Sequence, residues 1–160
     1  MTQSEIDVRP ATAADAPDLA RLRFEFRSRQ AGVEEAAADF VMRCEPWMRD
    51  RLAREAAWRA WVCVQRATGA LIGTLWLQLV EKLPNPGQEP ELHAYVTSVY
   101  VRPEARNDGL GSRLIEAALT ACRGLEVDTV FLWPSARSRP LYARHGFVAS
   151  DEILSQSLRP

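Results

Sequence analysis

The six residues Arg106-Asn107-Asp108-Gly109-Leu110-Gly111 join a guanidinium to two glycines, where a β-prone run gives way to a helical one. Glycine at such a junction lets the backbone bend and lets a bulky ligand come close to main-chain atoms. The first N–H groups of a helix have no partner inside it, and the helix dipole favours negative charge there. Arg106 can add charge-assisted hydrogen bonds to an anion held at that point. A diphosphate is the natural guest. The same two glycines also suit a tight strand-to-helix connection that holds nothing. No Gly-Lys-Ser/Thr follows, which excludes the Walker phosphate loop. The third glycine of the dinucleotide fingerprint is missing as well.

Several elements must position this turn. Ile6 to Arg9 reads as a short strand. Asp15 to Arg29 reads as a helix, with Ala16, Leu19, Leu22, Phe24 and Phe26 roughly on one side and Thr12 as an N-cap three residues before Asp15. Glu34 to Glu55 reads as a second helical region interrupted near Pro46. Trp58 to Gln65 alternates as a strand, with Trp61, Cys63 and Gln65 opposite Val62 and Val64. Thr68-Gly69 turns the chain back into a hairpin strand from Ala70 to Val80. Three prolines and a glycine make Glu81 to Pro90 a loop. His93 to Val101 is β-prone and stops at Pro103. Gly111 to Cys122 reads as a helix, Val127 to Trp133 as a strand, and Ser138 to His145 as a short helix stopped by Gly146. Phe147 to Leu154 reads as a closing strand. Hairpins followed by a β-α-β crossover predict an α+β (mixed α/β) fold, with a mixed sheet and helices on both faces.

Composition narrows the classes. A chain of 160 residues with 47% apolar content fits one domain, 1–160, with a sizeable core. Charged residues make up 26% and nearly cancel to a net charge of -1, so the clustered basic excess of a nucleic-acid binder is missing. No apolar run is long enough for a transmembrane helix, and residues 1–10 are polar and acidic rather than signal-like. The expectation is a cytoplasmic protein with no membrane and no nucleic-acid partner. Cys44, Cys63 and Cys122 fit neither a zinc pattern nor a disulfide framework, so three reduced thiols and no metal are expected.

The turn and its surroundings carry a resemblance. Arg106-x-x-Gly109-x-Gly111, after a strand ending Val99-x-Val101-x-Pro103, resembles the acetyl-CoA loop of the GNAT acetyltransferase superfamily. Downstream, Leu141-Tyr142 followed by Gly146-Phe147 is similar to that family's Leu-Tyr-x-x-x-Gly-Phe signature, and Val8 to Ala16 to its usual opening. The resemblance implies a central, mostly antiparallel sheet of six to seven strands, splayed at an acetyl-CoA slot. It implies that the strand with Val99 and Val101 pairs with the pantetheine arm, and that an N–H near Val99 polarises the acetyl carbonyl. Backbone N–H groups of Asn107, Asp108, Gly109, Leu110, Gly111 and Ser112 would hold the pyrophosphate. Tyr142 would stand at the cofactor sulfur and protonate the leaving thiolate. Where the family often has an asparagine contacting the cofactor arm, this chain has Ser135. Where some members carry a basic glutamate, it has Tyr95, and His93 two residues earlier is the candidate base; Glu91 or a water chain can serve instead.

The implied activity is transfer of acetyl from acetyl-CoA to a primary amine of a small molecule or protein, directly in a ternary complex. The alternative is a sensor module that binds acyl-CoA without turnover. The resemblance leaves a homodimer open. Glu34, Glu35, Asp39, Glu45, Glu89 and Glu91 would place negative charge on the acceptor side, suiting a cationic amine or serving only as solvated surface. Trp47, Trp58 and Trp76 can floor an aromatic pocket or fill the core.

Overall fold

The alternation and helical stripes of the sequence become five strands and four α-helices in the computed structural model, which describes residues 5–29, 34–54, 56–84, 86–87 and 91–158. In chain order these are β1 (Ile6–Pro10), α1 (Ala16–Arg27), α2 (Ala37–Arg54), β2 (Trp58–Gln65), β3 (Leu71–Glu81), β4 (Leu92–Val101), α3 (Leu110–Gly124), β5 (Thr129–Phe131) and α4 (Arg139–Arg144). The sheet order is β1-β2-β3-β4-β5. The first four strands are antiparallel, and β4 and β5 are parallel, joined by the α3 crossover.

Strand alternation sends side chains to two cores. Trp61, Cys63, Leu75, Leu77, Ala94 and Val96 pack with Leu114 and Ile115 of α3. Ala60, Val62 and Trp76 pack on the other face with Leu19 and Leu22 of α1 and Met48 and Leu52 of α2. Each fully buried leucine contributes about 1.5–3 kcal/mol relative to an exposed one. Trp47, Trp58 and Trp76 meet at 5.3 to 6.1 Å between α2 and the sheet; Trp76 is buried in the core, Trp58 packs half-buried against it, and Trp47 is exposed.

Two expectations are corrected. Pro46 does not interrupt α2, which runs through it from Ala37 to Arg54. A proline removes one ladder bond, but the buried Met48 and Leu52 hold the next turns against α1 and the sheet. Glu55, the expected end of that helix, lies outside the described residues. No closing strand forms over 147–154: the chain bends at 151–152, where the Glu152 N–H donates to Ser150 Oγ, and Val148 and Leu154 are exposed. The described sheet therefore has five strands rather than six or seven.

The fifth strand starts late for a local reason. α3 ends in a Schellman turn, with Val127 N–H donating to Cys122 C=O and Glu126 N–H to Arg123 C=O. Glu126 takes the left-handed φ of 54° that glycine usually supplies. Val127 is used in that turn, and β5 pairs with β4 only at His93↔Thr129, Ala94↔Val130 and Tyr95↔Phe131. Beyond Tyr95 the pairing with β5 stops while β4 runs on to Val101, and this stretch without β5 pairing is the edge of the slot.

Candidate active site

The edge of the slot is shaped by a β-bulge. Thr74 of β3 faces Tyr100, and Trp76 faces Thr97, so Leu75 alone stands opposite Ser98 and Val99 of β4. Ser98 takes a φ of 53°, a conformation uncommon for a residue with a side chain. A bulge takes its extra residue out of the ladder and re-aims the local backbone. Val99, the residue expected at the reacting carbonyl, lies in it, and Val101 closes the strand two residues on.

From Val101 the chain passes through Arg102 into a turn. Arg106 caps the turn, with Nε donating to Val101 C=O at 2.9 Å and the guanidinium 5.8 Å from the Tyr100 ring. Asn107 and Gly109 both have positive φ, 70° and 75°, and Gly109 is the residue from which α3 starts. Left-handed residues of this kind fold successive N–H groups toward one point. Ser112 follows in the first turn of α3. A cavity of about 400 Å³ lies there, lined by Val101, Ala105, Arg106, Asn107, Gly109, Leu110, Gly111 and Arg144. Two arginines at a helix N-terminus suit a dianion. Arg144, in the last turn of α4, was not singled out from the sequence; only its place in the Leu-Tyr-x-x-x-Gly-Phe stretch could have flagged it. Gly111 has a second role. A Cβ there would sit 3.3 Å from Leu141 Cδ2, so the glycine also lets α3 approach α4.

Helix α4 carries Tyr142 and ends in a second Schellman turn, with Phe147 N–H donating to Tyr142 C=O and Gly146 N–H to Ala143 C=O. Gly146 supplies the left-handed φ of 82°. The hydrophobic contact that goes with such a turn is Tyr142 against Phe147, at 5.7 Å between ring centroids. Gly146-Phe147 thus fixes the tyrosine ring. Tyr142 packs beside the α3-side core, and its phenol senses Tyr95, which projects from the opposite face of β4. Burial first, and Tyr95 second, raise its pKa above the ordinary phenol value. A phenol in this setting stays protonated at neutral pH and is poised to donate.

Other expected residues fall less centrally. Ser135 lies in the turn before α4, with its hydroxyl 2.9 Å from Ser138 Oγ and its carbonyl accepting from Ser138 and Arg139. His93 sits at the start of β4 on the same face as Tyr95, its Nδ1 buried without a hydrogen-bond partner. Six residues separate it from Val99, about 20 Å along an extended strand. Glu91 is engaged by Lys82 at 2.7 Å. Part of the expected acidic field is neutralised: Glu35 pairs with Arg43, and Glu45 with Arg49, while Glu34 and Asp39 are exposed. Glu89 lies outside the described residues.

Around Tyr95 the structure gathers Phe131 and Trp133, which the sequence did not single out. Tyr95 stacks on Phe131 at 5.5 Å, and Trp133 meets Tyr95 edge-on at 4.9 Å. Arg23 of α1 reaches the bulge, its Nη1 donating to Ser98 Oγ at 2.7 Å. Arg9 forks onto Asp15, holding that carboxyl below its ordinary pKa, and Asp15 accepts from Thr12 N–H, locking the start of α1 to β1. The cysteines are free, and Cys63 is pushed up to about 12 by burial, so its thiolate is absent at neutral pH. Among the described residues no group of three or more His, Cys, Asp or Glu could hold a metal, and no helix is long and apolar enough to cross a membrane.

The family model described as the acetyltransferase (GNAT) family matches residues 26–147. No curated protein sequence matches the chain. Among solved structures, a predicted acetyltransferase with acetyl-CoA from Clostridium acetobutylicum has a TM-score of 0.73 at 18% identity, covering 96% of both chains. A GCN5-related N-acetyltransferase from Ralstonia eutropha has a TM-score of 0.70 at 24% identity, covering 95% of this chain and 98% of that one. An aminoglycoside acetyltransferase from an uncultured soil metagenomic sample, in complex with trehalose, has a TM-score of 0.74 at 13% identity, covering 99% and 98%. At these identities the likeness is one of fold.

Proposed function

The chain belongs to the acetyltransferase (GNAT) family, and from that premise we propose that it is an N-acetyltransferase that moves acetyl from acetyl-CoA to a primary amine in a ternary complex. The observation that carries the reading is the slot itself. A diphosphate-sized cavity with two arginines lies at one end, an unpaired strand edge runs along it, and a protonated phenol stands where β4 and β5 part. The residues present fit the group. Backbone donors from Asn107 to Ser112, with Arg106 and Arg144, would hold the pyrophosphate. The open edge of β4 at Val99 and Val101 would pair with the amide-bearing arm as an added strand, and Ser135 would contact the arm from the other side. Acetyl-CoA supplies the activated thioester.

The chemistry then needs three services from the protein. An N–H in the bulge near Val99 polarises the acetyl carbonyl as negative charge develops on its oxygen. A base takes one proton from the attacking ammonium; His93, about 20 Å along β4 from Val99, reaches it only through a chain of waters. Tyr142 donates its proton as the new C–N bond forms and the C–S bond breaks, so the sulfur leaves as a thiol, and the second proton shed by the acylated nitrogen restores the phenol. No residue is acylated on the way, in keeping with the buried thiol of Cys63.

The test is release of free thiol from acetyl-CoA in the presence of a panel of amines. Release with at least one amine, together with acetylated product by mass, supports the proposal. Tight acetyl-CoA binding with no release for any amine overturns it and makes the domain an acyl-CoA sensor.

A further inference from the structure

Arg23 occupies an inward position of α1, on the stripe of Ala16, Leu19 and Ala20, where periodicity calls for an apolar side chain. Its guanidinium is half-buried and reaches the bulge through Ser98, with the Phe26 ring 5.9 Å from Cζ. Other arginines around it close on carboxylates: Arg21 on Asp18, Arg43 on Glu35, and Arg102 on Glu25. The groups that act on Arg23 electrostatically are Arg27, Cys44 and Tyr95, and none is a carboxylate. Burial, reinforced by the Arg27 cation, holds its pKa below the ordinary arginine value. A part-desolvated cation in this state is stabilised when an anion joins it. Tyr95 lies near enough to both Arg23 and Tyr142 to act on each electrostatically. Trp133 and Phe131 wall the same space beside Tyr95.

We infer that the acceptor amine also carries an anionic oxygen group, a carboxylate or a phosphate, which Arg23 binds beside the β4 bulge. An amine tethered to that group then faces the slot across Tyr95. The inference rests on the acyl-transfer reading of this site and names the class of acceptor. It runs against the expectation of a cationic acceptor, three of whose expected acids, Glu35, Glu45 and Glu91, are paired with Arg43, Arg49 and Lys82.

The experiment uses matched amines that differ only in the anionic group: phenylalanine against phenethylamine, and O-phosphoethanolamine against ethanolamine. Each is assayed for thiol release, and for binding to the coenzyme-A-loaded protein by calorimetry. The wild type is expected to favour the anionic member of at least one pair by roughly 10- to 100-fold in kcat/KM, the scale of charge-assisted hydrogen bonds. The two pairs separate a carboxylate from a phosphate reader. Arg23→Gln should collapse that ratio toward one through KM, and Arg23→Lys should restore part of it. A wild type with no preference for the anionic members overturns the inference. So does an Arg23→Gln variant that loses both members of a pair equally, which would make Arg23 a brace for Ser98. If no amine turns over, the acyl-transfer reading fails by itself and the binding arm still decides: anion-selective binding that needs Arg23 upholds the inference, and equal or absent binding overturns it.

Discussion

Replacing Tyr142 with phenylalanine separates chemistry from packing, because the structure holds the ring and the hydroxyl by different means. The ring is fixed by the turn at Gly146-Phe147 and by its contact with Phe147. The influences on the phenol are burial and Tyr95, with no hydrogen bond among them. Tyr142→Phe therefore leaves the packing intact and strands no partner, so stability should change by less than about 1 kcal/mol, or roughly 2–4 °C in Tm for a chain of this size. The loss of a positioned proton donor should lower kcat by about 10²–10⁴-fold, equivalent to about 3–5 kcal/mol of barrier. Acetyl-CoA affinity should hold, since the interaction lost is made in the transition state. The pH profile adds a sign. A phenol raised above its ordinary pKa near 10 remains a donor through neutral and moderately alkaline pH. The alkaline fall in kcat due to its ionisation should lie above that value in the wild type and vanish in the variant. Steady-state kinetics, calorimetry and a thermal melt on this one protein read all three quantities. A kcat within threefold of wild type, or a large fall in Tm with normal turnover in the folded fraction, would refute the assignment of Tyr142 as the acid.

Gly109→Val forces a β-branched residue into φ of 75° at the start of α3, at about 1–2 kcal/mol, and should weaken acetyl-CoA binding by roughly tenfold or more; calorimetry showing normal binding to a natively folded variant would remove the turn from the cofactor site. It is a cleaner probe than Gly111, whose Cβ would strike Leu141 before any ligand. Triple replacement of Cys44, Cys63 and Cys122 by alanine should leave kcat within about threefold, as direct transfer requires; loss of turnover in a folded protein, or a trapped acetyl-cysteine in the wild type, would establish an acyl-enzyme. Glu126→Gly should raise stability by up to about 1 kcal/mol, since it relieves a left-handed residue at a helix stop and removes a carboxylate from the negative end of the dipole; a lower Tm would contradict the strain argument. Asp15 should make the melt pH-dependent. Its carboxyl is held low by Arg9, so the stabilisation is present above the unfolded value near 3.9 and is lost as pH falls below it; Asp15→Asn should flatten that acid limb.

What the sequence determined by itself was local. Gly109 before α3, the helix stop at Gly146-Phe147, and the alternation of β2 are set by backbone freedom and side-chain period within a few residues, so they place the turn into α3, the end of α4 and the two faces of the sheet without any tertiary information. The features that only the tertiary structure decided all depend on which strand or helix lies alongside. A bulge exists only relative to the partner strand, so Ser98 and Val99 look like ordinary strand residues until Leu75 is seen opposite both. The slot is defined by where β5 stops pairing, at Phe131 opposite Tyr95, which is visible only once β4 lies beside it. The expected closing strand depended on an edge partner, and a bend at 151–152 replaced it. Glu35, Glu45 and Glu91, which look like part of an attractive field, are paired once Arg43, Arg49 and Lys82 reach them. Arg23 and Ser98, 75 residues apart, meet only because α1 crosses β4. Local rules act over one turn of chain, whereas the acceptor side is assembled from segments that no short-range rule connects.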